Sequence, residues 1–173
     1  LYCVNDDWLS SCNFPSASNI SAKKIMARLL RYFEREIENI NKMILSLGTM
    51  VEENVQNSLR SLTTRDSVLG LSVIDSDTKI DDMEVFIEEE CLKILALYQP
   101  VANDLRLIIA ILKINNDLER IGDLAVNISE RSVFLSTQDR VQIPEDLNLM
   151  AKKTMVMLKG SLDAFVKRDS MLA

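Results

Sequence analysis

Along most of the chain the apolar residues recur every three or four positions, the period of a helix that buries one stripe of its surface. The first stripe is Phe33, Ile37, Ile40, Ile44, Leu47, Val51, Val55, Leu59 and Leu62. It predicts a helix that starts between Ser21 and Leu30, is capped by Ser18, Asn19 or Ser21, and ends near Thr63 to Asp66. The second stripe, Leu69, Val73, Ile80, Met83, Ile87, Cys91, Ile94 and Tyr98, predicts a helix from about Asp66 to Tyr98. Pro100 cannot continue it, because proline lacks the N–H and clashes with the preceding turn. The third stripe, Leu107, Ile111, Ile114, Leu118, Ile121, Ala125 and Ile128, carries a helix to about Leu135. At about 100° per residue, Glu119 and Asp123 fall roughly 140–180° from that stripe, beside Asn116, Asn127 and Glu130. The first half of the same back face is apolar (Leu105, Ile108, Ile109, Leu112), so this helix calls for neighbours on two sides. After a polar connection from Ser136 to Ile143, Pro144 is placed as a first helical residue, and Leu147, Met150, Thr154, Leu158, Ser161 and Phe165 mark a fourth helix. No stretch alternates with the period of a strand, and only 4 Gly and 3 Pro occur, so the predicted class is all-α.

The fourth helix repeats the first. Arg65-Asp-Ser-Val-Leu-Gly70 returns as Arg168-Asp-Ser-Met-Leu-Ala173, Ser58-Leu59 as Ser161-Leu162, and Leu62 as Phe165. A repeated helical unit implies two similar bundles. The expected organisation is a tail over residues 1–27 with no helical period, a three-helix repeat over 28–139, and the first helix of a second repeat over 140–173.

Charge narrows the function. The net charge is −6 and no basic tract occurs, which argues against a nucleic-acid surface. No apolar run is long enough to span a bilayer, so no membrane insertion is expected. Asp6 and Asp7 stand where a signal peptide carries positive charge, and Cys3, Cys12 and Cys91 form no paired framework. A reduced, cytoplasmic setting is the simplest reading.

The chemistry lies in the carboxylates. Asp77, Asp81, Glu84 and Glu88 form one acidic stripe on the second helix, and like charges at that spacing repel. Asp77-x-x-x-Asp81 and Glu119-x-x-x-Asp123 each place two acids one turn apart. If the second and third helices form a hairpin pivoting at Pro100, residues at equal height have numbers that sum to 200. Asp77 then meets Asp123, and Asp81 meets Glu119. Acids on an exposed helix are ordinarily just solvated, but four at one level could hold a cation. Glu84 and Asn127 stand close enough in sequence to join them. Hard oxygen donors suit Mg, Ca, Mn or Fe. Zn is less favoured, since the chain has no His. The absence of His also rules out the Glu-x-x-His motifs of a di-iron bundle. No nucleophile–base pair, Gly-rich phosphate loop or dinucleotide fingerprint is present, so no catalytic residue is assigned.

Three segments together resemble one family. These are Asp77-x-x-x-Asp81-x-x-Glu84, Gln99-Pro-Val-Ala-x-Asp-Leu-Arg106 and Asp117-Leu-Glu-Arg-Ile-Gly-Asp-x-Ala-x-Asn127-Ile. With Arg31-Tyr-Phe-Glu-Arg-Glu36, they make residues from about Arg31 to Leu135 similar to the first repeat of the PhoU family of phosphate-uptake regulators. The resemblance implies related three-helix bundles, cytoplasmic location, homodimers and surface metal clusters at the acid-x-x-x-Asp motifs, here Asp77, Asp81, Glu119 and Asp123. It also implies a non-enzymatic adaptor that links a phosphate ABC transporter, through its ATPase subunit, to a phosphate-sensing histidine kinase and restrains uptake when phosphate is plentiful. Residues 1–27 match nothing in the family, and the motifs of the second repeat would lie beyond Ala173. A reading of another class is a metal store or metal-carboxylate enzyme, for which the sequence offers acids but no base or cleft-forming loop. A redox assay on metal-loaded protein separates the two.

Overall fold

The computed structural model describes residues 16–139, 144–167, 169 and 171. Among them four helices and no strand occur: α1 (Ser16–Thr64), α2 (Ser67–Tyr98), α3 (Ala102–Ser136) and α4 (Glu145–Lys167). The fold is all-α, as the periodicity predicts. By internal contacts the chain divides into two units, Leu1–Ile37 and Glu38–Ala173. Helix α1 starts at Ser16, ahead of the Ser21 to Leu30 range that its apolar stripe indicates, so Ser18, Asn19 and Ser21 lie within the helix. Most of the tail expected over residues 1–27, up to residue 15 and including Cys3 and Cys12, lies outside the described residues.

In the unit from Glu38 onward, the core is built from Ile40, Ile44, Leu47, Val51 and Val55 of α1 and from Val73, Ile80, Ile87, Cys91 and Ile94 of α2. Ile108, Ile111, Leu118 and Ala125 come from α3, and Leu158, Leu162 and Ala164 from α4. Cys91 is a free, buried thiol. Burial, and then the Glu88 and Glu90 carboxylates, push it up to about 11, so it packs as a small hydrophobe.

The buried stripe of α3 differs from the predicted one. It runs Ile108, Ile111, Asn115, Leu118, Gly122, Ala125, Ser129 and Ser132. Leu107, Ile114, Ile121 and Ile128 are only half-buried. Hydropathy picked the large residues, yet the buried face interleaves Ile108, Ile111 and Leu118 with small and polar residues, which let backbones approach. The other predicted residues, Leu107, Ile114 and Ile121, instead line a cavity of about 500 Å³ shared with Leu158 and Leu162 of α4. The end of α1 behaves the same way, with Ser58 and Ser61 buried where Leu59 and Leu62 were expected. In α4 the buried positions are Leu158, Leu162 and Ala164, while Met150 of the predicted stripe is 60% exposed. Leu162 faces Gly48 of α1, where an added Cβ would stand 2.7 Å from the leucine Cδ1.

The connections show why the chain turns where it does. Asp66 caps α2, its Oδ1 accepting from the Val68 and Leu69 amides at 3.0 and 3.1 Å. Arg65 takes the left-handed conformation (φ 59°) that ends α1. Its guanidinium donates to the Leu135 and Gln138 carbonyls and so covers the C-terminus of α3. The Asp66 amide reaches back to Ser61 O at 3.1 Å, and the Asp169 amide reaches Ala164 O at 3.0 Å. Asp169 Oδ1 likewise accepts from Met171 N at 2.9 Å. Ser58 and Ser161 donate to the carbonyls of Val55 and Leu158, both at 2.8 Å. The repeat seen in the residues thus recurs as the same turn geometry. Pro144 sits one position earlier than expected, before α4, with its carbonyl accepting from Leu147 N.

Candidate functional site

α2 and α3 pack side by side as an antiparallel hairpin. Asn115 Nδ2 donates to the Glu84 carbonyl oxygen at 2.9 Å and to Glu84 Oε1 at 3.2 Å. A Cβ on Gly122 would stand 3.4 Å from Asp77 Oδ1 and 3.3 Å from Ile80 Cδ1. Both pairings fall within one residue of the register set by a pivot at Pro100.

Because the α3 seam passes through Leu118 and Gly122, Glu119 and Asp123 lie about 80° and 120° from it rather than opposite it. They therefore border the α2–α3 groove and do not stand on the back of the helix. Asp77 is half-buried in that groove, and its Oδ1 is buried without a hydrogen-bond partner. Burial first, then the charges of Asp81 and Asp123, raise the Asp77 pKa above its ordinary value. Glu119 is raised by burial and by Asp123, Asp81, Glu84 and Asp77 together. Glu84 is raised by burial, Glu88 and Asp81. So the groove brings these carboxylates into mutual electrostatic range. Among the described residues, the ion pairs are Lys42–Glu38, Lys93–Glu90 and Arg120–Asp117, and none neutralises a groove carboxylate. The acids are not drawn in to ligand distance: no three of them, among the described residues, stand ready to hold a metal ion. Asn127 donates its Nδ2 to the Asp123 backbone carbonyl at 2.9 Å, a bond within its own helix turn.

Two residues that shape the groove carried no chemical signal in the sequence. Asn115 pins the Glu84 turn of α2 to α3, and Gly122 lets α2 come close enough to place Asp77 against α3. The detectable cue is their spacing, since both stand on a three-and-four repeat with Ile108, Ile111 and Leu118.

A family model described as the PhoU domain matches residues 44–132, which span the second half of α1, all of α2 and most of α3. The chain belongs to the PhoU family. The phosphate-specific transport system accessory protein PhoU of Serratia marcescens is 38% identical over 137 residues, covering 79% of this chain and 56% of that protein. The corresponding homolog of Aquifex aeolicus is 35% identical over 139 residues, with 80% and 63% covered. The crystal structure of PhoU from Pseudomonas aeruginosa superposes with a TM-score of 0.78 at 37% identity, over 81% of this chain and 68% of that one. That of the phosphate transport system regulatory protein PhoU from Streptococcus pneumoniae gives 0.75 at 30% identity, over 81% and 66%. This PhoU-family chain thus spans under two thirds of the length of these curated relatives. No helix among its described residues is long and apolar enough to cross a membrane.

Proposed function

We propose that this chain is part of a cytoplasmic accessory protein of a phosphate transport system, acting by protein contact rather than by catalysis. In this reading it forms homodimers. It connects the transporter's ATPase subunit to a phosphate-sensing histidine kinase and restrains both uptake and the starvation response when phosphate is plentiful. The observation that carries the reading is family membership across the α1–α3 bundle, together with relatives named as accessory proteins of that system.

The acidic groove is proposed as a cation site in the same protein. Asp77, Asp81, Glu119 and Asp123 supply hard oxygen donors, with Glu84 at the edge. The orphaned Asp77 oxygen and the lack of any neutralising Lys or Arg among the described residues fit a cation of the Mg, Mn or Fe kind. Asp81 and Asp123 are exposed and free to swing inward. The ion would supply positive charge that lets the two helices keep these carboxylates ionised side by side. Asn127 spends its Nδ2 on a bond within α3, which leaves its Oδ1 as a further oxygen donor at the exposed edge of the set.

The regulatory role is tested by deleting the gene and measuring transcripts of phosphate-uptake genes in high phosphate. Elevated transcripts are expected, and unchanged repression would count against the role. For the groove, metal content after dialysis is compared between the native chain and the Asp81→Asn, Asp123→Asn double variant. Loss of bound metal in the variant is the expected result.

A further inference from the structure

The N-terminal half of α1 carries a surface that neither the acidic groove nor the core explains. In a chain of net charge −6, Lys24, Arg28, Arg31 and Arg35 gather on one side of one helix segment. At about 100° per residue they fall within a 60° arc; Tyr32 lies about 40° beyond it, and Leu29 about 60° further on. All are exposed, Tyr32 at 44% and Leu29 at 48%. Among the described residues none of the four cations is paired with a carboxylate. The Arg28 guanidinium lies 5.7 Å from the centre of the Tyr32 ring and donates to its hydroxyl at 3.4 Å. Arg28, Arg31, Tyr32 and Arg35 line one shallow recess.

A row of cations with no carboxylate partner among the described residues is bordered by a tyrosine and then, past the half-buried Glu36, by exposed leucine, so charged, amphipathic and apolar side chains follow one another around the helix. An anionic lipid surface is graded the same way in depth, from phosphate to the headgroup–acyl boundary. Arginine matches phosphate oxygens in geometry, and a tyrosine ring rests with its polar tip wet and its body apolar. A soluble acidic partner would use the same arginines, and the vesicle assay distinguishes it from a bilayer. We propose that this face of α1 is a peripheral docking surface for anionic lipid bilayers, with Lys24, Arg28, Arg31 and Arg35 on lipid phosphates and Tyr32 and Leu29 at the boundary. The helix lies in the plane of the membrane surface and does not span it, since no described helix is long and apolar enough to cross one.

The test is co-sedimentation of the full chain with vesicles of phosphatidylcholine, with and without phosphatidylglycerol. Binding is expected only to the anionic vesicles and should weaken as salt is raised. The triple variant Arg28→Glu, Arg31→Glu, Arg35→Glu should lose at least tenfold in bound fraction at unchanged helicity. Arg28→Lys, Arg31→Lys, Arg35→Lys should retain binding, and Leu29→Ser should weaken it several-fold. As a control, reversing Lys152 and Lys153 of α4, which are also exposed, should leave binding intact. Equal binding to neutral vesicles, or binding indifferent to the arginine reversal, would overturn the proposal. So would binding that is insensitive to Leu29→Ser and fully displaced by soluble polyphosphate, which would make the face a polyanion site instead.

Discussion

At Gly70 the three helices of the bundle come together. A Cβ there would stand 2.9 Å from Ser61 Oγ of α1 and from Val133 Cγ2 of α3, and 3.3 Å from the Ser129 carbonyl oxygen. Ser61 is not a free neighbour. Its hydroxyl donates to the Asp66 carbonyl at 2.8 Å and so accepts from Ser132 at 2.7 Å. An alanine would gain about 1 kcal/mol of helix propensity, but overpacking a tight core site costs about 1–3 kcal/mol and here it also strains a hydrogen-bonded link. Gly70→Ala is expected to destabilise the chain by up to about 2 kcal/mol, read as a lowered urea midpoint with an unchanged slope. A raised midpoint would show that Ser61 and Val133 give way without cost.

At the scale of the element, the turn between α1 and α2 sets the bundle. The Asp66 side chain satisfies two amides that the first turn of α2 leaves open, and no other described side chain caps that helix start. Asp66→Ala should cost about 1 kcal/mol, whereas Asp66→Asn, which keeps an acceptor oxygen, should cost a few tenths at most. Thermal melts of the two variants side by side distinguish loss of the cap from loss of charge. The same turn at Asp169 shows that local capping chemistry travels with the repeated residues.

For the molecule as a whole, the acidic groove stores repulsion. Asp77, Glu84 and Glu119 have pKa values above their ordinary 3.8, 4.5 and 4.5 in the folded state. The folded chain therefore binds protons more readily than the unfolded chain. Unfolding stability then falls as pH rises from those ordinary values through the raised ones, and the three groups weaken the fold at neutral pH. With metal removed by a chelator, the melting temperature should drop as pH rises from the ordinary carboxylate range toward neutrality. Asp77→Asn should flatten that slope and raise the melting temperature at neutral pH. A profile that rises over the same range, or a variant with an unaltered slope, would show that the groove is already neutralised.

The sequence by itself determined the number and order of the helices, their ends to within a few residues apart from the start of α1, the pivot at Pro100 and the family. These rest on local chemistry: apolar spacing of three and four, proline, the Asp66 cap and dense short motifs. It also determined the register of α2 on α3, because two straight antiparallel helices joined by a short turn leave almost no freedom in height. Tertiary structure decided the rotation of each helix about its axis. Large residues mark a helix as amphipathic, but the closest helix–helix approach selects residues that take up little room. Asn115, Gly122, Ser129 and Ser132 therefore occupy the α3 seam, and Leu107, Ile114 and Ile121 turn toward α4. That rotation moves Glu119 and Asp123 from the back of α3 to the rim of the groove, where Asp77 lies with one oxygen unpartnered. The four acids could be named from the sequence, but whether they shared a surface depended on packing, and packing follows volume as much as hydropathy.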